Sequence, residues 1–255
     1  MSARTCDLEA LPAPLAARFD PLPPDPEVDA LAARRPHGAL REGARRILRR
    51  VMSDFDADGL LGTCPMALLG ARSWEALVGD KRGGRLLDVG AGSGDITLHA
   101  RSLFRDIVTT ETSGPMARRL RRRGFPCHRV DLAREPLPGG GPFDVLSLLD
   151  VLDRCDRPRS LLKAAGGLLA PDGRLLVSLP LPIRPHFDAG GHTVDPDEPI
   201  TGRGERWEEA LVDLIAGTIE PAGLEVRRIA RAPYLSLGAS GLTALDAALL
   251  VCAPR

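Results

Sequence analysis

The segment "LLDVGAGSGD", residues 86–95, decides the fold, because an apolar run ends there in a turn built on glycines. Gly90, Gly92 and Gly94 follow closely after Asp88, the acidic residue near the end of the run. Glycines let the backbone turn tightly and approach a ligand that side chains would block. The segment therefore predicts a strand, a turn and a helix that bind a nucleotide-like molecule.

The spacing of the glycines and the carboxylates around them narrow the choice of ligand. The pattern is G-x-G-x-G, not the G-x-G-x-x-G of dinucleotide enzymes, and a carboxylate at Asp88 suits the ammonium end of S-adenosylmethionine better than a pyrophosphate. Glu111 ends the next apolar run, 23 residues beyond Asp88, where it can accept both ribose hydroxyls. Asp131 follows the third run and is placed to reach the adenine amino group. A purely structural turn is the alternative, and the two further carboxylates disfavour it.

From residue 85 onward, short apolar runs alternate with helical patterns. Continuous apolar runs of this kind are typical of parallel strands covered on both faces. The last two runs, joined by a loop, predict an antiparallel hairpin at one end of the sheet. The expected fold class is α/β: a Rossmann-like, mostly parallel seven-stranded sheet with an antiparallel C-terminal strand and helices on both faces. The predicted strands lie in "RLLDVG", "DIVTTE", "HRVDL", "FDVLSLL", "GRLLVSLPL", "LEVRRIARAPY" and "AALLVCA".

Two segments precede this expected domain, which spans residues 85–255. Residues 1–35 are rich in proline, and their composition predicts a mobile or loosely docked arm. Residues 36–84 are expected to form a helical extension. Within it, residues 38–53 place apolar side chains at helical spacing with arginines mostly opposite, which predicts a packed helix with a solvated basic face. A helix that binds an anionic surface is the alternative.

Composition excludes several classes of partner. The formal net charge is zero and the isoelectric point is about 7.0, so no global field attracts nucleic acid or an anionic membrane. The five cysteines are scattered without a C-x-x-C pair, which favours free thiols over disulfides or a zinc site. Neither a signal peptide nor a membrane-spanning run is evident. We therefore expect a cytoplasmic monomer that binds no metal, no nucleic acid and no membrane.

A second informative segment is "SLLDVLDRCDRP", residues 147–158, in which a buried strand runs directly into charged residues. In doubly wound sheets, ligands lie beyond the carboxyl ends of the strands. Asp150, Asp153 and Arg154 are therefore expected where an acceptor would meet the methyl group. Asp156 is expected to cap the following helix.

These motifs, taken in order, resemble known proteins. The glycine turn and its carboxylates resemble the class I S-adenosylmethionine-dependent methyltransferases. The segments "SLLDVLDRCDRP", "LPLPIRPHFD", "GERWEEAL", "RAPYL" and "ALDAALLV" resemble the DREV-type methyltransferase-like family, the protein-histidine N-pros-methyltransferases, from about residue 45 to the C-terminus. This resemblance implies methylation of the pros nitrogen of histidine in His-x-His segments where x is small.

The resemblance also implies roles for individual residues. Gly90 and Gly92 would flank the methionine moiety, Glu111 would hold the ribose and Asp131 would contact adenine. The expected cofactor site comprises Asp88, Gly90, Ala91, Gly92, Gly94, Glu111, Asp131 and Leu149. The expected catalytic residues are Asp153, Asp150 and Tyr234, and the expected substrate-binding residues are Asp150, Arg154, Arg184 and Tyr234.

Asp153 matches the family's acidic residue in "LDRCD" and is the first choice for a group that orients the imidazole and receives its proton. Tyr234 lies in "RAPYL", and its hydroxyl is expected to bond the acceptor. Asp150 stands where relatives carry asparagine, and Arg184 stands where they carry histidine. The segment after Tyr234 is short and neutral, whereas relatives have a longer acidic one.

These departures leave other acceptors open. A small histidine dipeptide such as carnosine is one alternative, with Asp150 and Arg184 bound to its amine and carboxylate. A non-catalytic S-adenosylmethionine-binding scaffold is another, although such folds usually lose the glycine turn or the ribose acid. A nucleic-acid methyltransferase is disfavoured, because the fourth strand lacks the N/D-P-P-Y motif.

Overall fold

The protein folds around one large sheet. The structure, a computed structural model, describes residues 5–36, 38–183, 187–189, 192–238 and 241–255. The strands are β1 (Met66–Ala67), β2 (Arg85–Val89), β3 (Asp106–Thr110), β4 (Cys127–His128), β5 (Phe143–Leu149), β6 (Leu169–Pro180), β7 (Phe187–Ala189), β8 (His192–Val194), β9 (Leu224–Gly238) and β10 (Gly241–Pro254). The α-helices are α1 (Ala13–Ala16), α2 (Pro26–Ala32), α3 (Ala39–Leu48), α4 (Asp54–Leu61), α5 (Ala71–Val78), α6 (Gly114–Arg122), α7 (Pro158–Gly167) and α8 (Trp207–Leu214).

The main sheet has eight strands in the order β1-β9-β10-β6-β5-β2-β3-β4. Strands β6, β5, β2, β3 and β4 are parallel, while β10 is antiparallel to both β6 and β9. The predicted fold class is confirmed. The prediction missed the eighth strand, β1, a two-residue edge strand that pairs antiparallel with β9. Strands β7 and β8 form a separate small antiparallel sheet.

Both faces of the sheet are covered, as continuous apolar strands require. Successive residues of β2 show this directly, since Leu86 and Leu87 belong to different hydrophobic clusters. Helices α7 and α8 pack on the face of Leu87, and α5 and α6 on the face of Leu86. Because β2, β3, β5 and β6 are parallel, their carboxyl ends all lie at one edge of the sheet, where a ligand is expected.

Several local predictions differ from the structure. Of the run "HRVDL" only His128 lies in the sheet, as the second residue of β4, and the helix expected in "DITLHARSLF" is a 3-10 helix, Thr97–Leu103. The segment after Tyr234, predicted to be a loop, is instead paired strand: β9 extends to Gly238, and β10 begins at Gly241. Cross-strand pairing with β1 and β10 stabilises this extension.

The prediction of a mobile or loosely docked N-terminal arm was wrong for its described residues, 5–35. Leu11, Leu22 and Leu31 are buried in the apolar clusters. The carboxylate of Asp25 accepts hydrogen bonds from the backbone N–H groups of Gly70 (2.7 Å) and Ser73 (3.2 Å), at the start of α5. Proline-rich composition thus does not prevent docking, because buried leucines and this cap fix the arm to the sheet domain.

The prediction of a packed helix over residues 38–53 was also wrong in part. Helix α3 ends at Leu48, and Ser53 caps a new helix, α4, through its hydroxyl. Leu40, Ile47 and Val51 are 92%, 66% and 79% exposed. Helix α6, which is also rich in arginine, buries its apolar side chains and leaves most of its arginines to solvent.

Two further findings concern the cysteines and the helices. All five cysteines are free, as predicted. Within the described part of the chain, every helix is too short or too polar to cross a bilayer.

Candidate active site

The glycine turn begins where β2 ends. Gly90 and Gly92 have φ angles of 68° and 57°, in the left-handed region that side chains disfavour. The N–H groups of Gly90 and Ala91 donate to the carbonyl of Thr110, at the end of β3, at 3.0 and 3.2 Å. A Cβ placed on Gly90 would lie 2.8 Å from Cγ2 of Val151. The turn is therefore anchored to β3 on one side and touches the segment after β5 on the other.

Glu111 holds this turn from the end of β3. Its Oε2 accepts from the N–H of Gly92 at 2.8 Å, and its Oε1 accepts from the N–H of Ser113 at 3.0 Å. Burial raises the pKa of the Glu111 carboxyl, although these backbone donors oppose the rise. The structure thus places the predicted ribose acid directly against the predicted cofactor turn.

Asp88 is more enclosed than the sequence suggested. Its Oδ2 accepts from the Thr97 hydroxyl at 2.6 Å and its Oδ1 from the Ser147 hydroxyl at 2.7 Å. Burial raises the pKa of Asp88 to about 6, while the two hydroxyls lower it. With both oxygens bonded inside the protein, Asp88 fixes the turn to β5 and to the following 3-10 helix. A direct contact with the cofactor stays a prediction.

Two other predicted cofactor residues lie at the same edge. Leu149 is buried as the last residue of β5. Asp131 is half-buried, and its Oδ1 accepts from the N–H of Ala133 at 3.0 Å while its Oδ2 lies 3.3 Å from Nε of Arg134. The contact of Asp131 with adenine also stays a prediction.

The predicted acceptor side begins at Asp150, immediately after β5. Its φ angle is 55°, which is unusual for a residue other than glycine. Its N–H donates to the carbonyl (3.1 Å) and to the hydroxyl (3.0 Å) of Ser178 in β6, and its Oδ1 accepts from the same hydroxyl at 2.9 Å. Its Oδ2 is buried and has no hydrogen-bond partner among the described residues.

Asp153 shows the same feature one turn further on. The residue is 7% exposed, and its buried Oδ1 also has no partner in the part of the chain that the structure describes. Its Oδ2 lies 3.5 Å from Nε of Arg154. Two buried carboxylate oxygens without partners are costly unless a ligand satisfies them.

Arg154, Tyr234 and Met66 connect this acceptor segment to the glycine turn. The guanidinium of Arg154 lies over the ring of Tyr234, with Cζ 5.3 Å from the ring centroid. The hydroxyl of Tyr234 donates to Sδ of Met66 at 2.9 Å. A Cβ placed on Gly92 would lie 3.5 Å from Cε of Met66. A continuous line of contacts therefore joins the acceptor aspartates to the predicted cofactor site.

Burial dominates the electrostatics of this cluster. Burial and the nearby charge of Asp153 raise the pKa of Asp150 to about 7, and Arg154 opposes the rise. Burial likewise raises the pKa of the Tyr234 hydroxyl to about 12. Burial disfavours the charged form of Arg154, but Tyr234 and the two aspartates outweigh it and raise the pKa of the guanidinium. Tyr234 is therefore a neutral hydroxyl at physiological pH, and Arg154 is a permanent cation.

The amino-acid sequence also matches a known protein family. The sequence model of the DREV methyltransferase family matches residues 31–251. The chain belongs to the DREV methyltransferase family. It is accordingly an S-adenosylmethionine-dependent methyltransferase.

Solved structures of other methyltransferases resemble this DREV-family chain in fold. Examples are a TehB-like S-adenosylmethionine-dependent methyltransferase from Corynebacterium glutamicum (15% identity, 85% of this chain and 99% of that chain, TM-score 0.48), the N-methyltransferase NodS from Bradyrhizobium japonicum in complex with S-adenosyl-L-homocysteine (14%, 72% and 85%, 0.48), and a protein from Bacillus halodurans assigned to the methyltransferases (10%, 71% and 97%, 0.51). At 10% identity the likeness to the Bacillus halodurans protein, with a TM-score of 0.51, shows the fold alone.

The residues of the DREV-family site fit S-adenosylmethionine. The turn offers backbone rather than bulky side chains, and the Glu111 carboxylate in direct contact with it suits ribose hydroxyls and a cationic ligand. Glu111 and the turn from Gly90 to Gly94 would hold the cofactor. When bound, S-adenosylmethionine supplies an electrophilic methyl group on a sulfonium.

The predictions for Asp156 and Arg184 have different outcomes. Asp156 does not cap α7, because its Oδ1 accepts from the N–H of Asp197 (2.9 Å) and its Oδ2 pairs with Arg134. The start of α7 is instead capped by Glu198, whose carboxylate accepts from the N–H (2.8 Å) and hydroxyl of Ser160. Arg184 lies outside the described residues, so its predicted role is not placed.

Sequence reasoning missed several residues of the site. Ser147 and Ser178 bond Asp88 and Asp150, and Met66 lies between Tyr234 and the glycine turn. The two serines carried a signal, since each is a hydroxyl inside an apolar strand, in "FDVLSLL" and "GRLLVSLPL". Met66 carried none, because only tertiary contact brings β1 to the turn.

Replacing Glu111 with alanine is expected to weaken S-adenosylhomocysteine binding by about 10- to 100-fold, since charged hydrogen bonds contribute about 1.5–3 kcal/mol. Isothermal titration calorimetry measures this affinity. Glu135→Ala, which removes an exposed carboxylate beyond Asp131, serves as the matched control and should bind as the wild type does. Equal affinity in Glu111→Ala and the control would contradict the assignment of Glu111.

Asp150→Asn is expected to stabilise the protein more at pH 8 than at pH 5. An unfolded aspartate titrates near pH 4, whereas burial raises the pKa of Asp150 in the fold to about 7. The folded state therefore retains a proton that the unfolded chain releases, so the stability linked to this group is full below about pH 4 and is lost as the pH rises to about 7.

Asparagine does not ionise, so the free energy of unfolding of Asp150→Asn, relative to the wild type, should increase by about 2 kcal/mol between pH 5 and pH 8. Urea denaturation at the two pH values measures it. The relief of backbone strain by asparagine at positive φ is independent of pH and cancels in this comparison. An identical difference at both pH values would contradict a buried, ionising Asp150.

Proposed function

We propose that this methyltransferase transfers the methyl group to the pros nitrogen of a histidine imidazole in a protein or peptide, in segments of the His-x-His type. The observation that carries the proposal is the buried, unpartnered Oδ1 of Asp153 within the described residues. It belongs to a segment whose Val151 touches the glycine turn. An N–H donor of the acceptor would satisfy this oxygen close to the cofactor.

Imidazole suits this arrangement for a chemical reason. Its two nitrogens have different roles, because in the neutral ring one carries an N–H while the other has the lone pair that attacks a methyl group. Asp153, by accepting the tele N–H, would select the tautomer whose pros nitrogen is free. When the new N–C bond makes the ring cationic, Asp153 would stabilise the charge and receive the tele proton.

The remaining polar groups support a small, planar acceptor. Arg154 holds Asp153 from one side and packs on the ring of Tyr234, which fixes the orientation of the carboxylate. Tyr234 is enclosed and its hydroxyl bonds Met66, so a contact between this hydroxyl and the acceptor requires Met66 to yield. Positioning of this kind accounts for a large share of methyl-transfer catalysis, since the nucleophile is already neutral and reactive.

A histidine dipeptide such as carnosine is the second candidate. Asp150 favours it, because its Oδ2 is a second buried acceptor that, among the described residues, has no partner. A carboxylate at this position would bind the free amine of a dipeptide more tightly than it would bind a peptide amide.

A direct assay separates these acceptors. Purified protein with methyl-labelled S-adenosylmethionine is expected to label a His-x-His peptide, and amino-acid analysis of the product should show pros-methylhistidine. Carnosine and a Gln-x-Gln peptide serve as the competing acceptor and the blank. Faster labelling of carnosine would select the dipeptide, and labelling of neither histidine acceptor by a protein that binds S-adenosylhomocysteine would overturn histidine methylation.

Asp153→Asn is expected to reduce kcat by about 100-fold or more and to leave S-adenosylhomocysteine affinity nearly unchanged, because it removes one proton-accepting group. Asp156→Asn is the matched control on the same segment, and it should retain nearly full turnover. Stopped-time assays and calorimetry measure the two quantities. A loss of cofactor affinity in Asp153→Asn as large as that in Glu111→Ala would refute the separate roles of these residues.

A further inference from the structure

Ser178 lies fully buried in β6, beside the first residue of the acceptor segment. We propose that Ser178 is a positioning residue that fixes the Asp150 side chain and directs its second oxygen toward an N–H of the acceptor. This inference rests on the proposed function, because it assigns Asp150 to the acceptor rather than to the cofactor.

The hydrogen bonds around Ser178 have a single direction when Asp150 is ionised. The backbone N–H of Asp150 is a donor, so at 3.0 Å the Ser178 oxygen must accept from it. The hydroxyl has a single proton, which is then free to donate to Oδ1 of Asp150 at 2.9 Å. Together with the bond from the Asp150 N–H to the Ser178 carbonyl, these contacts fix both the backbone and the carboxylate of Asp150.

Backbone strain at Asp150 points to the same conclusion. A non-glycine residue at φ 55° costs of the order of 1 kcal/mol or more and persists where neighbouring groups hold it. Both acceptors of its N–H come from Ser178. Strained residues of this kind cluster at functional sites, because the strained backbone holds a side chain in a direction that a relaxed backbone would not give it.

The neighbouring strand provides an internal comparison. Ser147 donates to Asp88 as Ser178 donates to Asp150, but Thr97 bonds the second oxygen of Asp88. The second oxygen of Asp150 has no such hydroxyl in the described part of the chain and remains buried without a partner. The pair Ser147–Asp88 is therefore complete within the protein, whereas the pair Ser178–Asp150 is complete only with a ligand.

Charged and polar groups from three parts of the chain surround Asp150. Asp153 and Arg154 follow β5, Ser178 belongs to β6, and Tyr234 contributes from β9. Burial and Asp153 raise the pKa of Asp150 to about 7, and Arg154 and the Ser178 hydroxyl oppose the rise. Loss of that hydroxyl should therefore raise the pKa of Asp150 further, so that a larger fraction of the carboxyl is protonated at neutral pH.

The first test does not depend on the acceptor. Titration of 13C-labelled aspartate carboxyls by NMR, with the Asp150 signal assigned through Asp150→Asn, is expected to show a midpoint about one pH unit higher in Ser178→Ala than in the wild type. Ser147→Ala, which removes the equivalent hydroxyl beside Asp88, should leave the Asp150 midpoint in place. An unchanged midpoint in Ser178→Ala would overturn the proposal.

The second test is kinetic. On whichever histidine acceptor the wild type methylates, Ser178→Ala should lower kcat/KM by about 10-fold at pH 7 and move the acid limb of the pH profile upward, with S-adenosylhomocysteine affinity unchanged. In an Asp150→Asn background the same substitution should have little further effect. An equal loss in both backgrounds would show a general packing role and overturn the proposal.

The two tests separate the possible failures. If the wild type methylates no histidine acceptor, the proposed function fails, while the NMR titration still decides how Ser178 acts on Asp150. A shifted midpoint together with unaltered kinetics would remove Asp150 and Ser178 from the acceptor site. If Ser178→Ala does not fold, Ser178→Cys, which keeps the size but donates weakly, should show a shift in the same direction.

Discussion

Burial of carboxylates at the carboxyl edge of the sheet is the constraint on which the site depends. Asp88, Glu111, Asp150 and Asp153 are each less than a tenth exposed, and an uncompensated buried charge would cost several kcal/mol. Neighbouring strands supply the compensation through hydroxyl and amide donors. The register makes this possible, because Ser147 is the direct partner of Asp88 across β2 and β5. Among these four carboxylates, Asp150 and Asp153 each have one oxygen without a partner in the described residues, and these are the oxygens that we propose face the acceptor.

The same edge brings cofactor and acceptor groups into contact. Gly90 and Val151 meet where the ends of β2 and β5 adjoin, and Met66 lies between the turn and Tyr234. The edge strand β1, although it has only two residues, thus places Met66 beside the glycine turn. The chain before the sheet domain contributes directly to the site, which agrees with a family match that begins at residue 31.

Much of this arrangement could be predicted from the sequence because it rests on local chemistry. The glycine turn after β2, the mostly parallel sheet and the carboxylate of Glu111 after β3 follow from motifs read along the chain. The cap assigned to Asp156 failed because Glu198, about forty residues away along the chain, supplies the carboxylate at the start of α7. The predicted packing of Ile47 failed for a similar reason. Helical spacing shows which residues share a face but not what covers that face.

The sequence by itself determined the class of fold, the family and the cofactor. These depend on hydrophobic periodicity and on short motifs whose residues are neighbours along the chain. Only the tertiary structure decided which oxygens of the buried aspartates are bonded and which remain for a ligand. Hydrogen bonds such as those from Ser178 to Asp150 join residues 28 positions apart, and their direction depends on strand register and on backbone strain. Those properties arise only when the strands pack side by side.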